Sequence, residues 1–279
     1  MRCEFIAIGT ELLLGQIVNS NAAWLGEQLA LAGIDCVYHV TIGDNRQRMH
    51  DTIQQALDRS DAVIVSGGLG PTQDDITREV IADVMKVGLI RDDEIAERIR
   101  HRFESRGRIM SENNLKQADI PDGGVAIPQM PGTAPGLICP VGEKIIYAVP
   151  GVPFEMKMMV NECVLPDLKQ RSGITSVIKS RVLKTWGQTE SGLDEMLTER
   201  MAYLDDKGGA TIAFQASGIE GLKVRLTVKK ESEEAAERAL AEEEKSVREI
   251  IGDYIFGTDD ETMESVVLDL LRQRGLTLA

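Results

Sequence analysis

Apolar positions in the first half of the chain recur with two alternating periods. Residues 3–8, 36–42 and 62–66 are short β-rich runs, whereas Met49, Ile53 and Leu57 repeat at helical spacing, as do Ile95, Ile99 and Phe103. This strand–helix alternation predicts a mainly parallel sheet covered by helices on both faces, with ligands expected beyond the carboxyl ends of its strands. Between residues 122 and 153 proline and glycine punctuate short apolar runs at 125–127, 136–139 and 145–149, predicting short strands joined by tight loops. A helix is predicted from near Pro153 to Leu168, with proline tolerated in its first turn and Pro166 marking its end.

Beyond the QRSG stretch at 170–173 the pattern restarts. Residues 176–186 are β-rich, 190–201 helical, 210–216 and 222–229 β-like, and 232–251 form a long charged helix. The β-α-β-β-α order predicts a small α+β domain with both helices on one face of its sheet. A further helical pattern at 264–274 runs into GLTLA, an apolar strand apparently just starting, which leads us to expect a piece of a longer protein. The expected division is 1–170, 171–257, and 258–279 as the start of a truncated C-terminal domain.

Composition narrows the function classes. With 279 residues, 43% hydrophobic but only 4% aromatic, the chain can build substantial aliphatic cores and is expected to form at least two domains. No apolar run approaches the roughly 18 to 20 residues of a membrane span. Glu4, Glu11 and glycines interrupt the N-terminal stretch, so neither a signal peptide nor a membrane association is expected. Cys3, Cys36, Cys139 and Cys163 are scattered and lack a CxxC pair, as befits reduced core thiols of a cytoplasmic protein. The formal charge of −14 repels a polyanion, which argues against nucleic acid as a partner. A small anion held by backbone amides and a metal remains compatible with that charge.

The strongest local motif is SGGLGPTQDD at 66–75, after a buried strand and before the helix of Val80, Ile81 and Val84. Its glycines, Gly67, Gly68 and Gly70, can bring amides close to a phosphate. Asp74 and Asp75 would repel an anion unless a hard divalent cation sits between them, although Asp75 reads equally well as a helix N-cap. The loop is neither a P-loop, which needs a Gly-Lys-Ser/Thr end, nor a dinucleotide fingerprint, because Gln73 stands at the third glycine position. In GTELLLGQIVNSN the first strand ends at Gly9, Thr10 and Glu11, with Glu11 a candidate base or metal ligand and Asn19, Ser20 and Asn21 candidates for capping or for contacting a ribose or base. Asp44, in TIGDN, lies after the second strand on the same sheet edge, as a ligand or as the cap of the helix that follows. MPGTAPG (130–136) and VPGVPFEM (149–156) are rigid loops, the second feeding a helix. His39, His50 and His101 are too scattered for a metal site. The GIEG at 218–221 has the form of an RNA-clamping loop but, between two β runs, reads better as a hairpin turn.

Taken in order, GTELLLGQIVNSN, SGGLGPTQDD, MPGTAPG and VPGVPFEM resemble the competence/damage-inducible CinA family over the whole chain. The resemblance implies a three-layer α/β/α molybdopterin-binding-like domain followed by a small KH-type α+β domain. RQRGLTLA resembles the lead-in to a nicotinamide mononucleotide deamidase domain. In related adenylyltransferases the aspartate closing the glycine loop and one after the second strand are linked to magnesium, and these match Asp75 and Asp44. The resemblance further implies an ADP-ribose pyrophosphatase-type hydrolase releasing AMP and ribose 5-phosphate, without a Nudix box, since the TREV at 77–80 lacks the flanking glutamates. In that scheme Gly67, Gly68 and Gly70 cradle the diphosphate. Asp44, Asp75 and Asp74 hold Mg²⁺ or Co²⁺, with K⁺ an additional candidate, and Glu11 or an aspartate accepts the proton from water. Gly9, Thr10, Asn19, Asn21, Ser66, Thr72, Pro131, Gly132, Thr133, Pro150, Gly151 and Glu155 complete the expected ligand contacts. The alternatives are molybdopterin binding or adenylyl transfer, or a non-catalytic dimerising platform for the deamidase. A homodimer is expected from the family.

Overall fold

The computed structural model describes residues 1–128, 130–174, 176–216 and 221–277, so most of the 218–221 turn lies outside the described residues. Two compact units divide at Ile174 and Thr175. The first contains a six-stranded sheet built from β1 (Arg2–Ile8), β2 (Asp35–Ile42), β3 (Ala62–Ser66), β6 (Val125–Ala126), β7 (Leu137–Val141) and β8 (Lys144–Val149). Its order is β2-β1-β3-β8-β7-β6; the pairs from β2 to β8 are parallel, and the last two pairs are antiparallel. A short antiparallel pair, β4 (Leu89–Arg91) and β5 (Asp119–Pro121), lies apart from it.

Strand alternation sends side chains to two separate cores. Ile6, Ile8, Val63, Val65 and Ile146 meet Met49, Ile53 and Leu57 of α3 (Arg46–Arg59), Val80, Ile81 and Val84 of α4 (Thr77–Met85), and Ile95 and Ile99 of α5 (Asp93–Glu104). On the opposite face Phe5, Ala7, Ile64 and Tyr147 meet Leu25 and Leu29 of α2 (Ser20–Leu31), and Met156 and Met159 of α6 (Pro153–Met159). This is the expected three-layer α/β/α sandwich. A one-turn helix α1 (Thr10–Leu13) follows β1 directly.

Pro166 does not end its helix. A π-helical turn, Val160–Val164, follows α6, and α7 (Leu165–Ser172) begins with Pro166 in its first turn. The wider turn resets the helix, so the proline occupies a position whose amide needs no intrahelical partner. Gly173, in the left-handed conformation, supplies the actual stop.

The second unit has sheet order β10-β11-β9-β12, with β9 (Val177–Thr185), β10 (Ala210–Ala216), β11 (Leu222–Lys230) and β12 (Ile255–Thr258), all antiparallel. Leu183, Val224, Leu226 and Val228 form a core with Leu193 and Leu197 of α8 (Glu190–Lys207) and Leu240 and Val247 of α9 (Glu233–Ile251). The sequence pattern misses β12, whose four residues are too few to show a period. Helix α10 (Met263–Gln273) closes the described chain with a capping box at Thr262 and Ser265. Among the described residues no helix is long and apolar enough to cross a membrane.

Candidate functional site

A cleft of about 450 Å³ opens at the carboxyl ends of the parallel strands, as the strand–helix alternation predicts. Glycine loop 66–75 forms one wall, Gly9, Glu11 and Asp44 another, and Thr133, Pro150, Gly151 and Glu155 the third. The motifs therefore converge although they are far apart in sequence.

The glycine loop owes its path to its backbone. Gly67 has φ +112°, and a Cβ there would collide with the Ile8 carbonyl oxygen; Gly68 has φ +65° and would collide with the Thr77 hydroxyl. The four carbonyls from Gly67 to Gly70 are all engaged. Thr77 Oγ1 donates to Gly67 (2.8 Å) and Thr77 N to Gly68 (3.1 Å), while the Arg78 guanidinium donates to Leu69 and Gly70, joined at Leu69 by Gln117 Nε2 (3.3 Å). Lys116 ties the carbonyls of Thr72 and Asp75. The Gly67 amide donates to Val149 (3.1 Å), whereas among the described residues the amides of Gly68, Leu69 and Gly70 donate to nothing. Successive open amides of this kind form an anion-binding nest.

Asp75 does not cap α4. Ile76 holds that position without a side-chain bond, and one oxygen of Asp75 accepts instead from the amide (2.8 Å) and the hydroxyl of Thr72. Nor does Asp44 cap α3, because its neighbour Asn45 does, accepting from Arg48 N. One Asp44 oxygen accepts from the amide and hydroxyl of Thr10, at 3.0 and 2.9 Å. The second oxygen of each aspartate accepts no hydrogen bond among the described residues. Asp74 is exposed at the mouth, and the nearby Thr72 hydroxyl, its own amide and, more weakly, Lys116 hold it below the usual carboxylate range. Among the described residues no group of three His, Cys, Asp or Glu side chains is arranged to hold a metal ion. Asp44, Asp74 and Asp75 all line the cleft, and Thr10 and Thr72 each fix one aspartate oxygen.

Several expected contacts turn out to support the site from behind. Asn19 caps α2 by accepting from Ala22 N (3.0 Å). Asn21 Nδ2 reaches the Gly151 carbonyl (2.8 Å) and Ser66 donates to Pro150 (3.2 Å), which fastens the 149–156 loop to the end of β3; Asn21 Oδ1 is buried without a partner. Arg102 of α5 donates to the carbonyls of Met130 and Pro131. The Glu155 carboxylate lies over Gly132, where a Cβ would displace it, and burial raises its pKa against a smaller opposing pull from Arg102. Sequence reasoning missed Arg78, Arg102, Lys116 and Gln117. The 3₁₀ turn Glu112–Ala118 carries no apolar period, and an arginine after Thr77 looks like any helix surface residue until the fold buries it to 1% exposure.

A glycine-loop cleft at the carboxyl edge of a mainly parallel sheet in an α/β/α sandwich defines a domain of the molybdopterin-binding-like fold. Residues 4–170 match the family model described as "Probable molybdopterin binding domain", and residues 180–257 match the "Damage-inducible protein CinA KH domain". The chain belongs to the CinA family. It is 44% identical over 284 residues to a CinA-like protein of Frankia casuarinae and 44% identical over 279 residues to a competence-damage inducible protein of Caldanaerobacter subterraneus. All of this chain aligns in both cases, but it spans only 65% and 66% of those relatives. The crystal structure of a CinA protein of unknown function from Thermoplasma acidophilum is 34% identical, with a TM-score of 0.54 over 62% of this chain and 98% of that one.

These comparisons correct one expectation. The domain carrying the cleft matches a molybdopterin-binding family, which is distinct from the Nudix enzymes to which ADP-ribose pyrophosphatase activity belongs, so assignment as that hydrolase does not stand.

Proposed function

We propose that the first unit binds a phosphorylated small molecule of the molybdopterin type, with its phosphate on the amides of Gly68, Leu69 and Gly70. The observation that carries this reading is a glycine loop in which the carbonyls of Gly67 to Gly70 are tied back while, among the described residues, three successive amides remain open. Such amides hold an anion without a cationic side chain at the surface, which suits a chain of net charge −14.

Asp44 and Asp75 fit a divalent cation, Mg²⁺ or Co²⁺, that arrives with the phosphate. Each has one oxygen fixed by a threonine and one open, and magnesium is commonly held by one or two carboxylates together with ligand phosphates. The bound cation would neutralise phosphate charge beside these carboxylates. Thr133 and Glu155, on the far wall, are placed to meet the organic part of the ligand.

A homodimer is part of the same proposal. The end of α1 and the loop after it present Leu13, Leu14, Ile17 and Val18 to solvent, the last at 87% exposure, an apolar patch suited to a second copy.

Calorimetric titration of the chain with 6-hydroxymethylpterin phosphate tests the reading. Binding should require the phosphate and strengthen with Mg²⁺; equal binding of the unphosphorylated pterin, or no effect of Mg²⁺, contradicts it.

A further inference from the structure

Arg78 is 1% exposed and has no carboxylate within ion-pair distance among the described residues. Its guanidinium spends two nitrogens on the carbonyls of Leu69 and Gly70, and Nε has no partner. A buried charge without a counter-charge is costly, and proteins ordinarily pair it or leave it out. Here its two carbonyl partners belong to the stretch that carries the three open amides. Gln117, also 1% exposed and part of the cleft lining, bonds the same Leu69 carbonyl and leaves Oε1 without a partner, so a second buried polar side chain at this wall is incompletely satisfied.

We infer that Arg78 is the positioning residue of the anion nest: it holds the Leu69 and Gly70 carbonyls away from the ligand, and the bound anion adds counter-charge to a guanidinium that has no carboxylate within ion-pair distance among the described residues. The inference rests on the phosphate-binding reading above and names the residue that shapes that loop for an anion. Burial pulls the guanidinium down to about 10, still ionised at neutral pH. Three carboxylates act on it from different elements, Glu79 on its own helix, Asp75 on the loop and Asp119 on β5. Asp119 is engaged by Arg91 and one Asp75 oxygen by Thr72, whereas Glu79 Oε2 is buried without a hydrogen-bond partner among the described residues and acts on Arg78 from beyond ion-pair distance.

The test uses the full chain and labelled inorganic sulfate, a dianion whose charge does not change over the pH range used, in equilibrium dialysis at constant ionic strength. Wild type should bind sulfate equally at about pH 6 and about pH 9, because arginine stays protonated. Arg78→Met should bind about tenfold or more weakly at both pH values. Arg78→Lys should bind nearly as wild type at the lower pH and lose affinity towards the higher, since a buried lysine deprotonates within that span. A purely structural arginine would give no such pH profile. Should Arg78→Met fail to fold, the lysine variant decides by itself: a pH-independent affinity overturns the inference, as does wild-type affinity in a folded Arg78→Met. Absence of sulfate binding by wild type overturns the phosphate-binding reading and this inference with it.

Discussion

Thr10 donates both its amide and its hydroxyl to a single oxygen of Asp44, at 3.0 and 2.9 Å, and thereby fixes the plane of that carboxylate across the end of the sheet. Thr72 does the same to Asp75. The two threonines, expected to touch the ligand, each orient an aspartate. Thr10→Val and Thr72→Val each remove one hydroxyl from a half-buried carboxylate, which costs about 0.5–1.5 kcal/mol in stability. Each should also weaken Mg²⁺-dependent binding of a pterin phosphate several-fold while leaving Mg²⁺-independent binding unchanged, as read by titration with and without EDTA.

Gly67 bears on fold and site together. An alanine there would need φ +112° and would press its Cβ into the Ile8 carbonyl, so β1 and the loop would have to separate. Gly67→Ala should lose about 2–4 kcal/mol in chemical denaturation. A loss below about 0.5 kcal/mol would show that the loop relaxes freely.

Glu4 lies at 0% exposure on β1, with Arg59 bidentate on it at 2.6 and 2.9 Å and stacked over Tyr38. Arg59→Met strands a buried carboxylate and should cost about 3–5 kcal/mol. Adding Glu4→Gln to Arg59→Met should recover part of the loss, because the remaining amide is neutral; a double mutant no more stable than Arg59→Met contradicts the pairing.

Glu155 has a folded-state pKa above its unfolded value, so the fold favours its neutral form. Its contribution to stability is greatest below the unfolded carboxylate pKa and declines as pH rises through the folded one. Glu155→Gln should therefore melt above wild type at neutral pH, with the advantage vanishing towards about pH 4. A melting temperature unchanged or lowered at neutral pH would remove burial as the cause.

Much of this was legible in the sequence, for identifiable reasons. β1, β3 and β8 are buried on both faces and read as apolar runs, and the helices bearing Met49–Leu57 and Ile95–Phe103 repeat at helical spacing because each packs one stripe on the sheet. Glycines 67 and 68 follow a positive-φ path that favours glycine, and at Gly70 a Cβ would press on the Asp75 carboxylate. Local spacing could not say which of two adjacent polar residues caps a helix, and Asn45 took the place open to Asp44. Nor could it show that Arg78 turns inward, since that depends on the Leu69 carbonyl reaching it across the fold. Pro166 misled because a π-turn, which has no sequence period of its own, absorbs it.

The most direct test of the account follows the amides themselves. In a ¹⁵N-resolved NMR titration with 6-hydroxymethylpterin phosphate and Mg²⁺, the amides of Gly68, Leu69 and Gly70 should show the largest shifts, while those lining the outer groove of α5 near Glu94 and His101 stay in place. Shifts centred on that groove, or none at the glycine loop under saturating ligand, would contradict the claim that this loop is the phosphate site.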